Sequence, residues 1–60
     1  MSNMIYKGFS DGVYVLVGIY TTKKSAQNEK DAYKSIGRKA KIKTEITKDG
    51  KTGYVLWLKD

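Results

Sequence analysis

The sequence predicts an α+β fold in which one helix covers one face of a four-stranded, mostly antiparallel sheet. Three observations predict it: two segments that are apolar on both strand faces, one segment that alternates between apolar and polar residues, and one segment with helical spacing. The 60 residues are enough for a single small domain, and 40% hydrophobic residues are typical of a globular chain. The predicted element order is ββαββ.

Two strands are predicted before the helix. Residues 4–9 form a short first strand, which a tight hairpin at Asp11-Gly12 joins to a second strand over residues 13–20, VYVLVGIY. Strict alternation places Val13, Val15, Val17 and Ile19 on one face of the second strand, and Tyr14, Leu16, Gly18 and Tyr20 on the other. A strand that is apolar on both faces is usually central in its sheet.

A helix is predicted over residues 23–36. Thr22 is a suitable N-cap residue, and Gly37 stands where a left-handed C-cap glycine belongs. The apolar residues form one narrow stripe at helical spacing, namely Ala26, Ala32, Tyr33 and Ile36. The rest of the helix is polar, so we expect it to pack on the sheet through this stripe alone.

The last two strands differ in their patterns. Residues 40–47 alternate, with Ile42 and Ile46 facing the core and Lys41 and Lys43 facing outward, and lysines of this kind protect an edge strand from pairing with another chain. Residues 53–58, GYVLWL, are again apolar on both faces and predict a central strand. The spatial order 1-2-4-3 satisfies these preferences. It leaves the sheet face opposite the helix bare.

The hairpin between the last two strands allows two registers. A two-residue Asp49-Gly50 loop pairs Ile42 with Trp57 and buries the indole, whereas a type I turn with a bulge at Gly50 pairs Lys41 with Trp57 and exposes it. We favour the second register because it adds three apolar side chains to the core. These side chains are Tyr54, Leu56 and Leu58.

The composition narrows the function classes. Twelve Lys and Arg against six Asp and Glu give a net charge of +6, which favours polyanionic partners, nucleic acid first. The chain has no Cys and no His, so thiol chemistry, thiolate metal sites and imidazole bases are excluded. No apolar run approaches the roughly 20 residues of a membrane span, and no export signal is visible. We expect a cytoplasmic binding protein without catalysis, cofactor, metal or membrane contact.

The bare sheet face is the predicted binding surface. It combines aromatic rings, which stack on bases, with lysines, which neutralise phosphates. The residues of this surface are Tyr14, Tyr20, Lys41, Lys43 and Trp57. The same aromatic side chains could instead pack against a second copy of the chain, so a homodimer through this face is an alternative.

Two basic pairs flank the predicted helix. Lys23 and Lys24 lie in its first turn, where the helix dipole disfavours cations unless an anion binds there. Arg38 and Lys39 follow its C-terminus, where cations are favourable. We expect all four to contact phosphates. Each pair also has a structural explanation: the first pair can simply be solvated, and the second pair is stabilised by the helix dipole.

Two function hypotheses follow from these surfaces. The first is a small protein that binds nucleic acid through the aromatic and lysine side chains of the sheet and the basic helix ends. The alternative is a phage-type small protein that binds a host protein and inhibits or modulates it. The first predicts binding that weakens steeply with salt, and the second predicts a tight complex with modest salt dependence.

Part of the sequence resembles a known family. The stretch VYVLVGIYTTKKSAQNEKDAYKSIG, followed by AKIKTEI and a hairpin to Tyr54, resembles part of the SPOR domain, a bacterial module that binds the glycan strands of peptidoglycan. The resemblance does not include the second helix and last strand of SPOR domains. It implies a glycan site on the bare sheet face, over Tyr14, Leu16 and Tyr20.

Overall fold

Four strands and one helix make up the fold in the computed structural model, which describes residues 4–60. In chain order the elements are β1 (Tyr6–Phe9), β2 (Gly12–Tyr20), α1 (Lys23–Ser35), β3 (Ala40–Ile46) and β4 (Thr52–Lys59). The strands form one sheet in the order β1-β2-β4-β3, with every neighbouring pair antiparallel. The predicted fold class, element order and strand order are confirmed.

The hairpin between β3 and β4 adopts the favoured register. Gly50 has a φ of +81°, its N–H donates to the carbonyl of Thr47 at 2.9 Å, and the N–H of Thr47 donates to the carbonyl of Lys51 at 2.8 Å. This is a type I turn followed by a glycine bulge, in which only glycine takes the left-handed position at little cost. Lys41 consequently lies opposite Trp57, as predicted.

The helix α1 begins at Lys23, as the sequence predicts, and ends at Ser35, one residue before the predicted end. The N–H of Ser25 donates to Oγ1 of Thr22, the N-cap, at 3.2 Å. After the last turn Gly37 has a φ of +79°. Its N–H donates to the carbonyl of Lys34 at 3.0 Å, and the N–H of Arg38 donates to the carbonyl of Tyr33 at 2.9 Å. These are the bonds of a Schellman cap, which satisfies carbonyls at the helix end.

A first core lies between α1 and the sheet. Its buried side chains are Val15, Ala40, Leu56 and Leu58, with Tyr20, Tyr33 and Ile42 packed against them. The helix contributes Ala26, which is fully buried, and the ring of Tyr33. The rest of the predicted stripe does not reach this core, because Ala32 is exposed and Ile36 is the exposed C-cap residue. Ile46, expected in the core, is 78% exposed, because it ends β3 opposite Thr52 and has no apolar partner there.

A β-bulge in β2 reverses the alternation of its side chains. The pairing with β4 shifts between Leu16 and Gly18, so that Ile19 pairs with Val55 and Tyr20 pairs with Tyr54. One extra residue in a strand moves every later side chain to the other face. The prediction that Tyr20 lies on the bare face is therefore wrong: Tyr20 is half-buried against the first core.

Among the described residues, the one helix is neither long enough nor apolar enough to cross a membrane.

Candidate functional site

The sheet face opposite α1, called the outer face below, carries a second apolar cluster. Its buried members are Tyr14, Val55 and Trp57, with Phe9 and Leu16 packed against them. Tyr14 is 0% exposed and Trp57 is 5% exposed. The prediction that these two rings lie open to a ligand is therefore wrong, although the register that places Trp57 on this face is right.

Phe9 is the side chain that covers them. Its ring centroid lies 4.7 Å from that of Tyr14 and 5.9 Å from that of Trp57, and both contacts are edge-to-face. Aromatic pairs at such distances add about 0.5–1.5 kcal/mol beyond the area they bury. Phe9 itself is half-buried and is the outermost ring of the cluster. Sequence reasoning missed Phe9 because it ends a short edge strand.

Three lysine side chains converge on the Phe9 ring. Their ammonium nitrogens lie 5.6, 5.0 and 5.6 Å from its centroid, for Lys7, Lys41 and Lys43 respectively. The sheet must curl to bring them together, because β1 and β3 are its two edges and would lie about 14 Å apart if it were flat. We call Phe9 with these three lysines the Phe9 platform.

The charges of the Phe9 platform are favourable to the rings but not to one another. Each ammonium group over a ring gains roughly 0.5–1 kcal/mol at an exposed site. The ammonium of Lys41 also lies 5.3 Å from the Tyr14 ring, and that of Lys7 lies 5.7 Å from the Trp57 ring. Three cations around one ring repel each other, and a bound anion would relieve that repulsion.

One carboxylate borders the Phe9 platform. Oδ2 of Asp11 accepts a hydrogen bond from the Tyr14 hydroxyl at 2.8 Å and lies 2.9 Å from Nζ of Lys39. Its Oδ1 lies 3.0 Å from Nζ of Lys41. The Asp11 side chain therefore ties the hairpin between β1 and β2 to the far edge of the sheet, which the sequence, where Asp11 reads as a turn residue, does not predict.

The pKa values of these groups follow from their contacts. The Lys39 ammonium, the Tyr14 hydroxyl and the Lys41 ammonium together hold the pKa of Asp11 far below its ordinary value. Burial, and then the bond to Asp11, raises the pKa of Tyr14, and the same carboxylate raises the pKa of Lys39. Lys39 and Lys41 are thus both ion-paired with Asp11, whereas the sequence predicts Lys39 as a phosphate contact and Lys41 as part of the binding face. Of the two, only Lys41 also lies over the Phe9 ring.

The other predicted phosphate contacts lie away from the Phe9 platform. Lys23 and Lys24 are exposed in the first turn of α1, on the helix side of the sheet. The guanidinium of Arg38 donates to the carbonyl of Lys59 at 3.3 Å. Of the predicted site residues, the structure brings only Lys41 and Lys43 to the exposed part of the outer face, over the buried Tyr14 and Trp57.

Two hollows lie on the other side of β3, in the groove between α1 and β3. Their volumes are about 450 and 530 Å³. The first is lined by Lys30, Lys34, Gly37, Arg38, Lys39 and Ala40, and the second by Lys23, Gln27, Lys30, Ile42, Lys43, Thr44 and Tyr54. We call this surface the α1–β3 groove.

Two further observations bear on the chemistry. Nε1 of Trp57 is buried, and no acceptor for its proton lies within residues 4–60. An unsatisfied buried donor costs about 1–3 kcal/mol, so Trp57 stays in place through its packing against Phe9 and Tyr14. In the described part of the chain, no three His, Cys, Asp or Glu side chains come together as metal ligands.

Comparisons of the chain with protein-family models, with curated proteins and with solved structures find no match. The resemblance to the SPOR domain stays a prediction. The glycan site that it implies would need rings that are open on the outer face, whereas Tyr14 is buried and Tyr20 lies on the helix side.

Proposed function

We propose that this protein binds nucleic acid without catalysis, through the Phe9 platform. The observation that supports the proposal is the set of three lysine ammonium groups within 5.0–5.6 Å of one half-buried aromatic ring. Stacking of a base on an aromatic ring is worth about 1–3 kcal/mol, and each lysine that meets a phosphate releases a counterion. A polyanion at this place would give Lys7 and Lys43 a negative partner, while Lys41 already has one in Asp11.

The platform replaces the surface that the sequence predicts. Phe9 takes the stacking role assigned to Tyr14 and Trp57, which instead support its ring from below. Lys41 and Lys43 keep their predicted role, and Lys7 joins them from the opposite edge. The net charge of +6 would steer a polyanion toward the protein and make the affinity depend on salt. Nucleic-acid binding of this kind would take place in the cytoplasm.

The first experiment measures the binding of a fluorescent single-stranded oligonucleotide by anisotropy at about 50 and 200 mM salt, between which phosphate contacts weaken strongly. Phe9→Leu removes the ring and keeps an apolar side chain. We expect it to weaken binding by about 5–150-fold, the equivalent of one stacked base. Tyr6→Leu is the matched control, because Tyr6 is an exposed ring on the same strand as Phe9. Tyr6 pairs with Val15, so its side chain lies on the helix side of the sheet and not on the outer face.

A second pair of variants tests the role of charge. Both substitutions are at exposed lysines, so the result does not depend on the packing of the core. Lys43→Gln removes one platform cation, and Lys48→Gln removes a cation from the exposed turn between β3 and β4. We expect the salt slope to fall by about 0.7 for Lys43→Gln, as for one lost phosphate contact on a single strand. Equal affinities and equal slopes for the two variants would refute the platform as the binding surface.

A second candidate function, the binding and modulation of a host protein, is favoured by a different observation. Exposed apolar side chains gather along β1 and beside it: Met4, Ile5, Tyr6 and Val13. A sheet edge with such side chains is suited to pairing with another chain, either a host protein or a second copy. Tyr6→Ala would then weaken a complex that forms with little salt dependence, and sedimentation would show whether the partner is a copy of this chain.

A further inference from the structure

Most of the cations that line the α1–β3 groove have no carboxylate partner. Five of the lining residues are basic residues of α1 or the segment just after it, and one of these, Lys39, pairs with Asp11. The other four are Lys23, Lys30, Lys34 and Arg38. Within residues 4–60, every ion pair shorter than 4.0 Å joins Lys39 or Lys41 to Asp11, so none of these four has a carboxylate partner. No acidic residue lines either hollow.

Some of the charges of α1 oppose helix stability, although Lys34, in the last turn, is favoured there by the helix dipole. Lys30 and Lys34 are four residues apart, and like charges at that spacing destabilise a helix by about 0.2–0.5 kcal/mol. The first turn contains Lys23 and Lys24 and no acidic residue, which also opposes the helix dipole. The side chain of Asp31 accepts a hydrogen bond from Gln27 at 3.0 Å instead of pairing with a groove lysine. An anion in the groove would offset each of these costs.

The dimensions of the α1–β3 groove suit a phosphodiester backbone. From Lys23 to Lys34 the helix rises about 16 Å. A nucleic-acid strand laid along this length brings more than one of its phosphates into the groove. Its floor offers one half-buried ring, Tyr54, whereas the Phe9 platform offers a ring with three ammonium groups around it. The groove is therefore suited to the charge of a backbone more than to its bases.

Lys43 connects the two basic surfaces. It contributes to the lining of the second hollow, while its ammonium group lies 5.6 Å from the Phe9 centroid on the outer face. Only the edge strand β3 separates the α1–β3 groove from the Phe9 platform. A nucleic-acid strand that passes from the Phe9 platform over β3 would enter the α1–β3 groove directly. Alternatively, a second nucleic-acid strand could occupy the groove while the first remains on the platform.

We propose that the α1–β3 groove is a second nucleic-acid contact, which binds backbone phosphates through Lys30, Lys34 and their basic neighbours. This inference rests on the proposed function of the Phe9 platform and extends it to the opposite side of the sheet. The phosphates would belong either to the strand already on the platform or to another strand. The chemistry is the same in both cases, and the experiment distinguishes them.

The test compares two double variants of equal charge. Lys30→Gln/Lys34→Gln removes two groove cations, and Lys48→Gln/Lys51→Gln removes two cations from the turn between β3 and β4. Each protein is titrated over a range of salt with oligothymidylates of about 4 and 16 nucleotides, the range of site sizes for small single-strand binding folds. If one strand contacts both surfaces, the groove variant lowers the salt slope for the long oligonucleotide by about 1.4 and leaves the short one unchanged.

A second readout detects two strands on one protein. Short oligonucleotides labelled with a donor or an acceptor show energy transfer when both are bound by the same molecule, and the groove variant should abolish that transfer while the turn variant retains it. The inference is overturned if groove and turn variants agree in both readouts while Phe9→Leu still weakens binding. Absence of any oligonucleotide binding by the unaltered protein would overturn the proposed function together with this inference.

Discussion

The two faces of the sheet are covered by different means. On the helix side, α1 lies over Leu56 and its neighbours and excludes water from them. On the outer face no second helix is available among the described residues, and the sheet covers its own surface by curling until Phe9 reaches Tyr14 and Trp57. The ammonium groups of Lys7 and Lys41 lie over the Phe9 ring from the two edges of the sheet.

The way in which each face is covered decides where a small sheet can place a binding site. A face closed by a helix presents the polar side of that helix to solvent. A face closed by its own curl presents the last ring added, with whatever cations surround it. The Phe9 platform arises in this way, because covering the aromatic cluster leaves one ring at the surface among three ammonium groups.

Truncating one side chain in each core should change the free energy of unfolding by different amounts. Leu56 is fully buried on the helix side, and Leu56→Ala should lower the free energy of unfolding by about 2–5 kcal/mol. Phe9 is only half-buried, so Phe9→Ala should cost less than the 3–5 kcal/mol typical of a fully buried phenylalanine. Urea denaturation of both variants measures this order. A larger loss for Phe9→Ala would mean that the outer cluster, and not the helix-side core, holds the fold.

The second prediction concerns Asp11, whose carboxylate contacts Lys39, Lys41 and Tyr14 and so links the two edges of the sheet. Folding lowers the pKa of Asp11 below its ordinary value of 3.8. Its carboxylate therefore stabilises the fold fully above that value, and the stabilisation is lost as pH falls through the lowered folded-state pKa. Asp11→Asn should lower the Tm at neutral pH, and the difference from the unaltered protein should shrink toward strongly acidic pH. Circular dichroism melts at a series of pH values measure this.

A matched control separates the Asp11 cluster from general charge effects. Glu29→Gln removes an exposed carboxylate of α1 that takes part in no ion pair within the described residues. Its Tm should follow the unaltered protein at every pH. A constant difference in Tm between Asp11→Asn and the unaltered protein at every pH would show that packing, and not the charge of Asp11, stabilises this hairpin.

The fluorescence emission of Trp57 reports on the outer face of the sheet. Trp57 is the one tryptophan of the chain and is buried on the outer face, so its emission should be blue-shifted in the folded protein. Because the ring of Phe9 and the ammonium of Lys7 both lie against it, an oligonucleotide on the Phe9 platform should change its intensity. An emission maximum like that of the urea-unfolded chain would contradict the curled outer face.

Much of the fold could be predicted from local patterns. Thr22 and Gly37 mark the ends of the helix, and Gly50 marks the bulged turn, because capping and turn geometry depend on residues near one another in sequence. The register that pairs Lys41 with Trp57 also follows from the pattern, since the alternative buries fewer apolar side chains.

The candidate site could be predicted only in part. Alternation alone decides the face on which the lysines of β3 lie, so the sequence predicts it correctly. The sequence does not predict the burial of Tyr14 and Trp57, because the ring that covers them comes from β1. Strict alternation places Tyr20 on the wrong face, because the bulge lies between Leu16 and Gly18. The isolated glycine within the strand, Gly18, is the one local signal that could have revealed it.

The elements, their order and the edge position of the lysine-bearing strand follow from local sequence, because they depend on periodicity, capping and the need to bury strands that are apolar on both faces. Three features follow only from long-range packing: which ring stays at the surface, which lysines surround it and which lysines are paired with Asp11. These features depend on the curl of the sheet, which brings its two edges together. Curl is the sum of strand twist, one bulge and long-range packing, and no short segment of the sequence encodes it.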